Sequence, residues 1–382
     1  MQEMMKGKTA LLVGADSCKT LPLAWALHGK GFWVVGLFVG RLNYGYSCRY
    51  VDERLIFREL LDCLAARPYL ENLLLARHFD VVIPLEDACA DLLSRMDTPG
   101  FPDKKAFDAG FQKQNLMRLC EQKGYPHPKT FFPEDGLPDN LPFPLLIKPD
   151  ISSGARGISR VDGRDGLEKA IRETVSRFGP CHLQQLIPPG GRQVEVQLFV
   201  DANGRLVQYS VIEKHRWYPY KGGSSCCNVS RRGSSIVEVC HRILLDLHWK
   251  GFADFDTIED PRTGELLVLE LNPRLPACIK TAFVAGVDWG DVLSGEYMHL
   301  PHRSYEAREG EWLRFLGLDF LWFIHSPDRF RTTPCWFKFF GRRIHYQDMG
   351  MGFDPLPWFS GTLGNLLKLS DRSFRRKKAG MN

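Results

Sequence analysis

The chain has 382 residues, 44% hydrophobic and 25% charged, and its 50 basic and 45 acidic side chains leave a net charge of +5. That is apolar material for two or three structural units, and the basic excess is too small to argue for a nucleic-acid binder. No apolar run reaches the ~20 residues of a spanning helix, since residues 312–324 are interrupted by Arg314 and Asp319. The N-terminal apolar run breaks at Asp16, too soon for a secretory signal. The 11 scattered cysteines contain no CxxC pair, so reduced thiols in a cytosolic protein are expected rather than a disulfide frame or a zinc site.

In chain order, residues 8–14 (KTALLVG) read as a short buried strand closed by Gly14. Leu21, Leu23, Ala24 and Leu27 follow at helical spacing, then a second apolar run over 32–39. Strand, helix and strand in this order predict a βαβ unit with a parallel pair. A further strand, VVIP at 81–84, meets the acidic turn of Glu86 and Asp87 and a helical stretch to Met96. Residues 1–103 are therefore expected to form an open parallel α/β domain, with ligands near the carboxyl ends of its strands at Gly14 and Glu86. Neither phosphate fingerprint survives at Gly14. Walker A has Cys18 at its second glycine, and the dinucleotide pattern fails at Asp16.

Residues 97–112 are rich in Gly, Pro and Asp and read as a linker, followed by a helix over 113–123. From Gly124 to about residue 300 strands and hairpins dominate, over 145–148, 157–161, 193–200, 206–213, 251–258 and 266–271. The alternation in VEVQLFV at 194–200 runs into the turn Asp201-Ala-Asn-Gly204, a hairpin signal. This stretch is predicted α+β.

Four features stand in order here. Lys148 ends the apolar strand PLLIKP, and the Ser- and Gly-rich loop at 150–157 follows, with backbone N–H groups open to phosphate oxygens. HLQQLIPPGG at 182–191 makes a hinge able to pair with a planar base, and Gln193 or Glu195 beyond it can reach a sugar hydroxyl. Asp254 and Asp256 share a face of one strand, as do Glu270 and Asn272 of the next. Asp256, Glu270 and Asn272 can then meet as hard oxygen donors of the kind Mg²⁺ shares with phosphates and water.

With ELNPR at 270–274, GFADFD upstream and PLLIKP at 144–149, residues 8–300 resemble the ATP-grasp ligases. The similarity is greatest to carbamoyl-phosphate-synthetase-like and D-aspartate-ligase-like carboxylate–amine ligases. The resemblance implies a pre-ATP-grasp domain over 1–103, with IPLED at 83–87 as a ligand-facing turn, and an ATP-grasp domain over 104–300. It implies that Lys113 and Lys148 hold the α- and β-phosphates and that the loop with Ser152, Ser153, Gly154 and Gly157 closes over the γ-phosphate. Gln184, Gln185 and Ile187 would line adenine, and Gln193 or Glu195 would hold ribose. Asp256, Glu270 and Asn272 would bind Mg²⁺, with Mn²⁺ as a substitute. Arg274 would stabilise the transferring phosphoryl group, and Lys214 would begin a basic loop near the acyl-phosphate site. Gln185 stands where the family commonly has an acidic residue. The expected reaction joins a small carboxylate to an amine through an acyl phosphate, with ADP released. Open alternatives are a non-catalytic ATP-binding homologue and carbamoyl-phosphate-type chemistry, while an oxidoreductase on the first βαβ unit is spoiled by Asp16 and Cys18. Cys226 and Cys227 read as small thiols beside the basic loop rather than a redox pair.

Residues 301–382 differ in character. They hold 16 aromatic residues, and 14 Lys or Arg against 8 Asp or Glu, leaving the rest of the chain nearly neutral. Two expectations follow: an appendage whose aromatics pack on the ligase core, or a basic, aromatic surface for an anionic membrane face or a lipid-linked substrate. Nucleic acid is not favoured, and the oligomeric state is left open.

Overall fold

A computed structural model describes residues 7–96, 98, 100–152, 156–219 and 223–370. The N-terminal unit comprises β1 (Thr9–Val13), α1 (Thr20–Gly29), β2 (Trp33–Phe38), β3 (Glu53–Ile56), α2 (Cys63–Ala76), β4 (Val81–Pro84) and α3 (Asp87–Ser94). Its four strands are parallel in the order β3-β2-β1-β4. Every residue of β1 is buried, because helices cover both faces of a parallel sheet, and so it reads as an unbroken apolar run. Gly14 ends β1 at a φ of +80°, and a Cβ there would lie 3.0 Å from Cγ of Glu86 and 3.1 Å from Sγ of Cys89. The turn that failed both phosphate fingerprints is packed with protein side chains.

Helices α4 (Lys104–Phe111) and α5 (Lys113–Lys123) lead to a small antiparallel sheet. Its strands β5 (Thr130–Phe131), β6 (Leu145–Pro149), β7 (Ser159–Val161) and β8 (Cys181–Gln185) lie in the order β5-β8-β6-β7. Helix α6 (Leu167–Phe178) covers this sheet through Leu167, over Leu145, Ile147 and Leu183.

The largest sheet holds β9 (Gln193–Val200), β10 (Leu206–Tyr218), β11 (Ser224–Arg231), β12 (Gly251–Glu259) and β13 (Leu266–Asn272), with α7 (Ile236–Asp246) between β11 and β12. Beyond β13 come α8 (Lys280–Val284), α9 (Trp289–Tyr297), β14 (Trp312–Arg314), α10 (Leu316–His325), β15 (Ile344–Tyr346) and α11 (Leu356–Ser370). The strand order is β13-β12-β9-β10-β11-β14-β15. Val194, Val196, Leu198 and Val200 of β9 pack against Ile236, Cys240, Ile243 and Leu244 of α7, at the spacing of one helical face. Each such side chain contributes about 1.5–3 kcal/mol by leaving water. The alternate residues Glu195 and Gln197 are buried too, so β9 has a protein-covered polar face rather than the solvated one that alternation alone suggests. Trp289 and Val292 of α9 share a core with Leu23 and Leu27 of α1, which ties the N-terminal unit to this sheet.

The expected C-terminal appendage is continuous with the sheet. β14 pairs antiparallel with β11, and β15 lies parallel beside β14. Asp319 accepts from Nε of Arg216 at 2.7 Å and from Nε of Arg314 at 2.7 Å, and none of the three side chains is more than 1% exposed. Three aromatics of this region pack here, Trp322 facing the Arg216 guanidinium and Trp336 and Phe339 facing that of Arg314, whereas Phe330, Phe337, Phe340 and Phe353 are exposed rather than packed on the core. The basic residues 372–378 lie outside the described residues. Among those described, no helix is long and apolar enough to cross a membrane.

Candidate active site

The register of three adjacent strands builds the site. Glu195 of β9 lies opposite Asp256 of β12, and Asp256 lies opposite Glu270 of β13. A second row joins Gln197, Asp254 and Asn272. Facing residues on neighbouring strands sit about 4.5–5.5 Å apart, where like charges repel, so the carboxylate row needs cations. Lys214, reaching over from β10, binds both Glu195, at 3.1 Å, and Asp256. Lys113 binds Glu270 from the other end at 3.2 Å.

Lys113 is the first residue of α5, where a cation opposes the helix dipole. Its ion pair with Glu270 and its hydrogen bond to the Ser152 carbonyl, at 3.1 Å, offset that placement. Asp150, in the turn after β6, accepts the Gln114 N–H at 2.7 Å and so satisfies an open donor of the same helix end. Lys148 donates to Oε1 of Gln184 at 2.5 Å.

The site holds one cavity of about 310 Å³. It brings together Lys113, Lys148, Ser152, Gln193, Glu195, Lys214, Asp256, Glu270, Asn272 and Arg274, all of them expected from the sequence. Gln184, Gln185, Ile187 and Gly157 do not line it. Gln184 is buried between β5 and β6 as the partner of Lys148, and Gly157 packs beside Pro149 and Phe178. Ser153 and Gly154 lie outside the described residues.

Burial and neighbouring charge set the protonation states. Burial pushes the Glu270 carboxyl up, but Lys113 and Lys148 outweigh it and hold the group at about 2. Burial pushes Asp256 up and Glu195 and Glu270 add to this against Lys214, leaving it at about 6. Lys148 is brought down to about 8 by burial, with Lys113 lowering it further and Glu270 opposing. Glu195 is fixed from within: it accepts from Nε2 of Gln197 at 3.0 Å and from the Cys278 thiol at 2.9 Å. Gln197 in turn accepts from Ser210, and Ser210 from the indole of Trp289 at 3.1 Å.

Three residues not assigned from the sequence complete the site. Asp87, at the start of α3, holds the Arg274 guanidinium through bonds of 2.8 and 3.4 Å. The IPLED turn thus supplies a carboxylate to the site from the N-terminal unit. Asp254 lines the cavity with one carboxyl oxygen buried and unpartnered, and the other accepting from Asn272 at 3.4 Å. Cys278 forms part of the cavity wall. Asp254 was legible as the same-face neighbour of Asp256, and Asp87 as part of the acidic turn expected to face a ligand, whereas nothing local signals Cys278.

The donor set suits Mg²⁺. Among the described residues no group of three or more His, Cys, Asp or Glu side chains is placed to hold a metal ion. Two carboxylates and an amide on adjacent strands, beside lysines, are what an ion shared with phosphate oxygens and water requires.

No family model matches the chain. Over 183 residues it is 26% identical to the carbamoyl phosphate synthase large chain of Methanothrix thermoacetophila, covering 44% of this chain and 17% of the synthase. Over 198 residues it is 26% identical to the D-aspartate ligase of Enterococcus faecium, covering 45% of this chain and 46% of the ligase. The match thus spans less than half the length of either relative. Among solved structures, the biotin carboxylase domain of the Hydrogenobacter thermophilus 2-oxoglutarate carboxylase, in complex with MgADP and bicarbonate, superposes with a TM-score of 0.64 at 16% identity. That superposition covers 80% of this chain and 73% of the other. The two-lobed arrangement of sheets around the cavity and this likeness agree: the chain has the ATP-grasp fold.

Proposed function

We propose that the chain is an ATP- and Mg²⁺-dependent carboxylate–amine ligase that forms an amide bond through an acyl phosphate and releases ADP. The observation that carries this reading is the carboxylate row of Glu195, Asp256 and Glu270, met by Lys113, Lys148, Lys214 and Arg274 around one cavity. Phosphoryl transfer asks a protein for positioning and charge neutralisation rather than covalent chemistry, and four cations beside oxygen donors supply both.

In this reading Lys113 and Lys148 hold the α- and β-phosphates. Asp256, Glu270 and Asn272 hold Mg²⁺, which when bound neutralises phosphate charge and orients the transferring group. Adenine would lie beyond the cavity edge, toward the hinge at Ile187, because Gln184 and Gln185 are engaged within the small sheet. Gln193 takes the ribose, because Glu195 is already engaged by Lys214, Gln197 and Cys278. Ser152, which lines the cavity, meets the γ-phosphate. Arg274 steadies the phosphoryl group as the carboxylate attacks, and Lys214 neutralises the acyl phosphate before the amine displaces it. The D-aspartate ligase relative supports an amine acceptor, and the MgADP-bound structure supports the nucleotide and metal. The partners we propose are a small carboxylate and a small amine, met in the cytosol or, through the basic C-terminus, at the inner face of a membrane.

The test is a phosphate-release screen with Mg-ATP over amino acids, small carboxylates, bicarbonate and amino sugars. ADP should form only when Mg²⁺ and a carboxylate are both present. Glu270→Gln should lower turnover by about 10²–10³-fold with an unchanged circular dichroism spectrum. Wild-type protein that binds no ATP under saturating Mg²⁺ would overturn the reading, and full activity in Glu270→Gln would remove the metal assignment.

A further inference from the structure

Helix α11 is amphipathic in the reverse sense to a helix that docks on a core. At 3.6 residues per turn, Leu356, Phe359, Leu363, Leu366 and Leu367 fall within about 100° of arc. All five are exposed, from 49% at Leu363 to 60% at Leu356. The side turned to the protein is Pro357, Gly361 and Gly364, all buried. A Cβ on Gly361 would strike the Tyr44 ring at 2.2 Å, and one on Gly364 the Leu42 carbonyl oxygen at 2.1 Å. The glycines let the helix seat closely on the 40–44 loop, and the five apolar side chains of the stripe point away. A continuous outward apolar stripe marks an interaction surface.

The charge around the stripe selects the partner. α11 contains no Asp or Glu, and residues 356–378 carry six Lys or Arg against the single Asp371. Arg41 and Arg49 stand exposed on the segment beneath the helix, and Arg49 donates to the Gly352 carbonyl at 2.9 Å just before α11 begins. A protein partner of mixed charge has no need of this one-signed rim. An apolar stripe on a helix without Asp or Glu, beside the exposed Arg41 and Arg49 and followed in sequence by a basic run, matches the boundary between anionic headgroups and acyl chains. We propose that α11 is the element by which the chain lies on an anionic lipid surface, with its leucines and Phe359 in the acyl boundary and its basic neighbours at the headgroups. Apolar stripe and basic flank act together, since one such signal alone gives only marginal binding. This inference stands apart from the ligase reading and does not require it.

The test is co-sedimentation of the full chain with vesicles of phosphatidylcholine plus phosphatidylglycerol, and with phosphatidylcholine alone. The chain should pellet with the anionic vesicles and remain in solution with the neutral ones. L363D/L366D should lower the bound fraction about tenfold or more without changing the melting temperature, because both positions face solvent. R375E/R376E, which leaves the helix face intact, should lower it too. A wild-type chain that ignores anionic vesicles would overturn the proposal. So would a concentration-dependent dimer that L363D/L366D abolishes while vesicle binding is absent, which would assign the stripe to a second copy. ADP release with soluble substrates should be the same in both variants as in wild type; its absence from all three would count against the ligase reading alone.

Discussion

Lys214 and Arg216 stand two residues apart on β10, each paired with carboxylates, and the two pairs differ in what lies beyond them. Around Arg216 the space is closed. Asp319 takes both Arg216 and Arg314, the carbonyls of Pro334 and Lys338 accept further N–H groups, and Trp322 and Phe339 lie against the guanidiniums. Around Lys214 the carboxylates of Glu195 and Asp256 border an open cavity. Similar ion-pair chemistry anchors the C-terminal region where aromatics seal it and borders the proposed reaction site where a ligand can enter. An ion pair in a buried position does not by itself announce catalysis; the space beside it does.

The largest expected effect breaks the sealed cluster. Asp319→Ala leaves two buried guanidiniums without their carboxylate and should cost about 3–5 kcal/mol of stability, read as a fall in the urea midpoint. The variant that stays folded at low temperature should keep wild-type turnover. Lost turnover with unchanged stability would contradict the division drawn between the clusters.

A smaller effect sharpens the open side. Asp87→Asn removes the charge that orients Arg274, and turnover should fall about 10–100-fold. The KM for ATP should change little, since the proposed role of Arg274 is on the transferring group rather than on the nucleotide. Stability should also change little, since the Asp87 side chain is a quarter exposed. A large rise in the KM for ATP with turnover intact would place Arg274 on the nucleotide instead.

The smallest effect is one of pH. With Asp256 at about 6 in the free site, its carboxyl carries a proton below that pH, and as a proposed Mg²⁺ ligand it would have to release it on binding. The apparent Mg²⁺ affinity should therefore weaken by up to about tenfold per pH unit as pH falls below 6, and level off above it. Calorimetric titrations at several pH values would show this, and a flat profile from pH 5 to 7 would remove Asp256 from the ligand set.

Most of the open site was readable because its residues sit at short, regular spacings. Asp254 and Asp256 alternate on one strand, Glu270 and Asn272 on the next, and the PRTG turn joins the two. That β9 lies beside β12, and so completes the row with Glu195, was not readable, because no local pattern encodes pairing between strands some sixty residues apart (Val194 faces Thr257). The sealed cluster was hidden for the same reason. Arg216 and Asp319 are 103 residues apart, and the aromatics around them read only as a compositional change after residue 300. The seating of α11 was hidden differently: its apolar residues are at helical spacing, but only its contacts reveal that the glycines, not the leucines, face the protein.

The bond between Asp87 and Arg274 joins residues 187 positions apart, one in the N-terminal α/β unit and one just beyond β13. The N-terminal unit is therefore not an interchangeable module. A chimera that grafts another α/β unit onto residues 104–370 has to replace the packing of α1 on α9 and would still be inactive unless the graft also delivers a carboxylate to the same arginine. Any transfer of specificity between relatives by swapping this unit has to carry the acidic turn along with it.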